Sequence, residues 1–265
     1  MNAPNETTLP ILLRENSEGV ARLTLNRPGQ FNSLSEELLS ELQAALNAIA
    51  TDASVRVVVI SGAGKAFCSG HDLKQMRANH GKAYMQKLFK QCGRMMMTLV
   101  EMPQPVIARV HGIATAAGCQ LVAMCDLAVA AQEAKFAVSG INLGLFCSTP
   151  SVALGRAMGR KQAMEMLLTG EFIDAAEAQR RGLINRVVAL DQLDAEVKKL
   201  SDSIIAKSAV AVGMGKQMFY RQMEMGLEGA YQLASETMAC NMMAEDAGAG
   251  IDAFMEKRKP EWKHR

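Results

Sequence analysis

The sequence has almost no net charge: 29 Lys and Arg stand against 27 Asp and Glu, a balance of +2 over 265 residues. A nucleic-acid-binding face would push that balance far more basic, so DNA and RNA are not expected partners. A long apolar run is also missing. The longest stretch without a formal charge, Phe136 to Gly155, is broken by Ser139, Asn142, Gly144, Ser148, Thr149 and Pro150, which makes it too polar to span a bilayer. No membrane is expected as partner. Met1 to Glu18 offers no positively charged end leading into an apolar segment, so no leader peptide is read and the expected location is cytoplasmic. The six cysteines form no C-x-x-C pair and the four histidines are scattered. Without zinc-ligand spacing no metal site is expected, and reduced, buried thiols are the simpler reading.

What is abundant is apolar side chain, 49% of residues against 21% charged. That is enough for a sizeable core in one large domain, or one domain with a smaller appendage. Val20 to Asn26 alternates as a half-buried strand should, Ile11 to Glu15 is its expected partner, and Asn26-Arg27-Pro28-Gly29 ends it. Ser33-x-x-Glu36 has capping-box spacing, and Leu38, Leu39, Leu42, Ala45, Leu46 and Ile49 then recur at helical intervals. Val55 to Ile60 is a β-branched run that enters Ser61-Gly62-Ala63-Gly64, as a buried strand feeding a loop would. A second unit repeats this loosely: a strand at Val106 to Val110, a turn at His111-Gly112 and a buried helix from Ala116 to Cys125. Leu127 to Ala130 and Lys135 to Val138 read as further short strands. The class is α/β. From Asp191 onward the pattern is helical, with Met214, Met218, Met223, Met225, Met238, Met242 and Met243 as core or subunit-interface filler. A boundary near residue 205 therefore separates a region 1–205 from a helical region 206–265, whose end, Met255 to Lys259, is basic.

Chemistry is concentrated in two segments. Gly64-Lys65-Ala66-Phe67-Cys68-Ser69-Gly70-His71-Asp72-Leu73-Lys74 puts a strand end, glycines and a helix start in one place, where free backbone N–H groups can receive an anion. His111-Gly112-Ile113-Ala114-Thr115-Ala116-Ala117-Gly118-Cys119-Gln120 does the same, with side chains so small that a ligand could reach the backbone. Facing one point, two such donors would form an oxyanion hole. Glycine-rich turns before helices also serve tight packing alone, and spacing does not separate the two readings.

These segments, with Asn26-Arg27-Pro28, Phe136 to Gly144 and Gly159-Arg160-Lys161-Gln162-Ala163-Met164-Glu165-Met166 to Thr169-Gly170, resemble the crotonase superfamily, the enoyl-CoA hydratase/isomerase family, over nearly the whole chain. Thr115 to Gln120 and Gly144 to Pro150 look most like its enoyl-CoA hydratase domain-containing protein 3 subgroup. The resemblance implies a crotonase (ClpP-like) spiral of strand-strand-helix units, a C-terminal helical oligomerisation region forming trimers or hexamers, and acyl-CoA substrates. It implies no cofactor beyond the coenzyme A of the substrate. It assigns the oxyanion hole to the backbone N–H of His71 and Ala117. It makes Arg27, Lys65, Lys74 and, from a neighbouring subunit, Lys257 candidates for the coenzyme A phosphates, with Ala66, Asp72, Leu73 and Cys147 as further substrate contacts.

The departure lies in the acids. The two glutamates of family hydratases fall on Gln120 and Gly140, and neither residue can transfer a proton. Hydration of an enoyl double bond then loses its general acid and base, about 10²- to 10⁴-fold for each such group. Substitutes in the sequence are the His71 ring, a nucleophile at Cys147 or Ser148, or an exogenous base such as bicarbonate at Gly140. Asp72 and Asp126 are nearby acids that an N-cap or a buried hydrogen bond would equally explain. The alternatives to an enolate enzyme are a non-catalytic acyl-CoA binder and a thioester hydrolase.

Overall fold

Small apolar residues spaced along short strands set the architecture. The computed structural model describes residues 10–265, so the first half of the stretch read for a leader, residues 1–9, lies outside it. β1 (Leu12–Ser17) and β2 (Val20–Leu25) pair antiparallel, Leu12 opposite Leu25. The expected hairpin is present. α1 (Glu36–Ala50) follows and buries Leu38, Leu39, Leu42, Leu46 and Ile49. Its N-cap is Ser35, whose side chain accepts from Leu38 N, and not Ser33. The capping box read from the sequence does not form, since the third residue after Ser35 is Leu38; the Ser33 hydroxyl instead meets Arg27, and Glu36 accepts from the Tyr84 hydroxyl.

Three turns of the chain then repeat one plan. β3 (Val57–Gly62), β5 (Val106–Val110) and β7 (Leu127–Ala131) lie parallel in one sheet, while β4 (Ala66–Cys68), β6 (Ile113–Thr115) and β8 (Lys135–Ala137) lie parallel in a second. Each turn gives one strand to each sheet, and α2 (Leu73–Ala78), α3 (Lys82–Glu101), α4 (Ala117–Met124) and α5 (Ser148–Ala157) fill the returns. The result is the expected spiral, with three turns where the sequence pattern gave two units. The three-residue strands β4 and β6 are too short to carry an alternation. α3, whose Leu88, Cys92, Met95, Met96 and Leu99 are buried, packs against α1 and has no counterpart in the sequence reading.

α6 (Arg160–Thr169), β9 (Ile173–Asp174) and α7 (Ala175–Arg180) lead to β10 (Arg186–Val188), which extends the large sheet beside β7. α8 (Leu193–Ile205) covers that sheet's second face, where Val57, Val59, Ile107, Val129, Leu193 and Val197 form a separate small core. Covered on both faces, β3 reads as the continuous apolar run that a buried parallel strand shows. α9 (Ala209–Gln222), α10 (Leu227–Met242) and α11 (Glu245–Met255) complete the chain. α9 is pinned to the body by Lys216, whose ammonium reaches Asp126 at 2.7 Å and the carbonyls of Leu99 and Gln104 at 2.6 and 2.8 Å. α10 has no buried residue, and Leu227, Tyr231 and Met238 stand 76, 68 and 66% exposed. Among the described residues no helix is long and apolar enough to cross a membrane.

Candidate active site

The site is assembled from the ends of β4 and β6, two neighbouring short strands of the second sheet. Just after β4, Leu34 pairs with His71 in an isolated parallel bridge: Leu34 N donates to Gly70 O at 2.7 Å and Asp72 N donates to Leu34 O at 3.3 Å. Successive amides of an extended segment point to opposite sides. With Gly70 O and Asp72 N turned to Leu34, the His71 N–H is turned away from it.

On that far side stands the start of α4. A Cβ on Gly70 would lie 3.1 Å from Ala117 N and 3.2 Å from Thr115 O, and one on Gly118 would overlap the Cys68 carbonyl. Glycine at these two places is what lets the segments touch. Ala116, the N-cap of α4, holds φ 51° and ψ −122°, a conformation that costs a residue with a Cβ on the order of 1–3 kcal/mol. Its own N–H donates to Ala137 O at 3.0 Å, and the sharp turn presents the Ala117 N–H as a first-turn amide with no partner inside the helix. Among the described residues neither His71 N nor Ala117 N donates a hydrogen bond. The loops are tied behind them by His111, whose Nε2 donates to Gly64 O at 2.9 Å, and by the Thr115 and Ser139 hydroxyls, 2.8 Å apart.

The positions to which the family resemblance assigns the two glutamates, 120 and 140, carry no acid. Gln120, in the first turn of α4, is 5% exposed, and its Oε1 is buried without a partner among the described residues. A Cβ on Gly140 would meet Cys147 Sγ at 2.7 Å and Leu145 O at 2.8 Å. The volume a side chain would enter there is filled. The His71 ring is buried edge-on to Phe89, centroids 5.4 Å apart, with neither nitrogen hydrogen-bonded among the described residues, and burial pushes its pKa down. It sits as a neutral apolar filler. Cys147, the N-cap of α5, points its thiol to Val138 O at 3.5 Å, and burial pushes its pKa up. Ser148 is exposed and donates to Phe146 O at 3.3 Å. Among the described residues neither has a His or acid partner.

The expected substrate contacts divide. Lys65, Leu73, Lys74 and Lys257 are exposed, free to meet a ligand at the rim. Ala66 is buried and its carbonyl accepts from Asn32 Nδ2 at 2.8 Å. Arg27, expected to face a phosphate, is spent within the chain, on Asp72 at 3.0 Å and on Ser33 O at 2.6 Å. Asp72 caps α2 by accepting from Lys74 N and Gln75 N, both 3.1 Å. Burial raises its pKa, but those amides and the Arg27 guanidinium outweigh it and hold the carboxyl low. Its side chain is therefore structural, as is that of Asp126, which accepts from Val106 N and pairs with Lys216. Among the described residues no cluster of three or more His, Cys, Asp or Glu could hold a metal ion. The signal that escaped sequence reading is Asn32: fully buried in a left-handed conformation, it accepts from Arg27 N and donates to the carbonyls of Ala63 and Ala66.

Comparison with known proteins agrees with the fold. The sequence profile described as Enoyl-CoA hydratase/isomerase matches residues 15–265. A Xenopus laevis protein named enoyl-CoA hydratase domain-containing protein 3, mitochondrial, is 46% identical over 255 residues, 96% of this chain and 87% of the relative. The crystal structure of its human namesake superposes with a TM-score of 0.93 at 43% identity, covering 96% of this chain and all (100%) of that one. An enoyl-CoA hydratase structure from Mycobacterium smegmatis superposes at 0.94 with 59% identity, covering 96 and 99%. The cytoplasmic expectation is corrected by these relatives, since the frog protein and a human one at 44% identity are mitochondrial by name. That expectation rested on charge near the N-terminus, which does not by itself fix a compartment.

Proposed function

Because the chain belongs to the enoyl-CoA hydratase/isomerase family, we propose that it binds an acyl-CoA thioester and holds the thioester oxygen between the N–H groups of His71 and Ala117. The supporting observation is the pair of unpartnered amides presented by touching segments, backed by the strained turn at Ala116. Such donors stabilise charge that develops on oxygen as an enolate forms, and losing one costs about 2.7–4 kcal/mol in other enzymes. Only main chain is required, so alanine serves at position 117. The start of α4 adds the positive end of its helix dipole. Lys65 and Lys74, with Lys257 of a neighbouring subunit, meet the coenzyme A phosphates. The reaction uses no metal or redox cofactor.

With Gln120 and Gly140 in place of two carboxylates, water addition by paired glutamates is not the chemistry of this site. The enzyme acts on the thioester enolate without both acids. Steady-state assays across short and long enoyl- and acyl-CoA thioesters test this, with conversion of at least one above the buffer rate as the expected result. Conversion of none would leave the second reading, a non-catalytic acyl-CoA binder, which the filled volume at Gly140 favours. Calorimetry would then show binding with the ligand recovered unchanged. A hydrolase through Cys147 or Ser148 has less support, because an activated nucleophile needs a base within hydrogen-bond reach; full thioesterase rate in Cys147→Ala and Ser148→Ala would exclude it.

The exposed apolar surface of α10 and α11 supports assembly of the helical region 206–265 into a trimer or a pair of trimers. A helix that buries nothing within its own subunit and shows Leu, Tyr and Met side chains marks a surface that another chain covers.

A further inference from the structure

We propose that Arg27 is a positioning residue for the oxyanion hole, acting through Asp72 on the main chain of His71. The inference rests on the oxyanion reading and gives Arg27 a different role from that of a phosphate cation. Its guanidinium joins the two sides of the bridge that aims the His71 amide. One nitrogen, Nη1, donates to Ser33 O at 2.6 Å and Ser33 Oγ at 3.2 Å, and Ser33 precedes Leu34. The other, Nη2, donates to Asp72 Oδ2 at 3.0 Å, and Asp72 follows His71. Leu34 in turn bonds Gly70 O and Asp72 N. A planar fork with two separate nitrogens thus ties both strands of a two-bond bridge across which no longer ladder runs.

The clamp is itself fixed. Arg27 N donates to Asn32 Oδ1 at 2.9 Å, and Asn32 Nδ2 reaches Ala63 O and Ala66 O at 2.8 Å each. The Arg27 and Asp72 side chains are only 16 and 14% exposed, so the pair is sheltered from solvent. The second oxygen of Asp72 holds the first turn of α2. One carboxylate therefore joins the first turn of α2 to Arg27. Freed from Arg27, the bridge can rotate and the His71 N–H loses its aim, and a displacement near 1 Å at a reacting group costs about 10²-fold in rate.

The test is the infrared carbonyl stretch of crotonyl-CoA labelled with ¹³C at its carbonyl, bound to the full-length protein, together with the affinity for coenzyme A alone. Wild type should move the stretch to lower frequency than free ligand. Arg27→Ala and Asp72→Asn should recover at least half of that displacement toward the free value while binding coenzyme A as wild type does, and any turnover should fall about 10- to 100-fold in kcat with KM little changed. Arg156→Ala, which breaks a surface pair with Glu224, should leave the stretch untouched. Asp72→Asn retains a capping side chain, so it keeps the test open if Arg27→Ala does not fold. A full displacement in the folded variants with weakened coenzyme A binding would overturn the proposal and return Arg27 to phosphate binding. A wild-type protein that binds the ester without any displacement would remove the oxyanion reading itself, and the inference with it.

Discussion

Cys147 Sγ lies 2.7 Å from where a Cβ on Gly140 would stand, so any side chain at the position to which the family resemblance assigns a second glutamate would start against sulfur. Leu145 O closes it from another direction at 2.8 Å. Restoring both acids by Gln120→Glu with Gly140→Glu is therefore expected not to raise crotonyl-CoA hydration. The added side chain must displace a neighbour and a backbone carbonyl, at about 1–3 kcal/mol of overpacking. Thermal unfolding should show that loss; a stable double variant with strong hydration would show that the loop yields.

His71 separates main chain from side chain. His71→Phe keeps the amide and replaces a buried ring with two unpartnered nitrogens, so acyl-CoA binding and turnover should stay at the wild-type level. Burial holds the folded pKa of this histidine below its ordinary value. Its contribution to stability is then complete above the unfolded pKa, about 6.5, and is lost as pH falls toward the folded one. Denaturant unfolding at several pH values should show this acid-sensitive component in wild type and not in the variant.

Lys216 and Asp126 form the buried pair that joins α9 to the body. Burial lowers the lysine pKa against the opposing pull of Asp126, so the pair is held by its geometry and by the Leu99 and Gln104 carbonyls. Lys216→Met leaves the carboxylate unpaired and should cost about 3–5 kcal/mol, read from the midpoint of denaturant unfolding.

Much of this was legible in the sequence where periodicity is long. The stripe from Leu38 to Ile49 gave α1, and the β-branched run from Val55 to Ile60 gave a buried strand, which the structure starts at Val57. Ser33 misled because Ser35, two residues on, is the serine whose side chain reaches an orphan amide, a choice that depends on the turn made by Phe31 and Asn32, both at positive φ. The role of Arg27 escaped for a similar reason: its partners Ser33 and Asp72 lie six and 45 residues away, and a long-range ion pair leaves no local spacing. Gln120 and Gly140 were readable as departures, but only the folded loop shows that Cys147 has taken up the room.

The helical surface offers a separate check. Leu227, Met243 and Phe254 are 76, 82 and 84% exposed. Replacing Leu227 and Phe254 by Lys should shift sedimentation from a trimer or hexamer toward a single subunit while leaving the far-ultraviolet spectrum helical. A wild-type protein that sediments as a monomer would refute the assembly reading.

The most direct measurement is a crystal structure with a bound, hydrolysis-resistant acyl-CoA analogue. Its carbonyl oxygen is expected within about 2.7–3.1 Å of both His71 N and Ala117 N. A bound analogue with that oxygen turned to solvent, or held by one amide alone, would contradict the account.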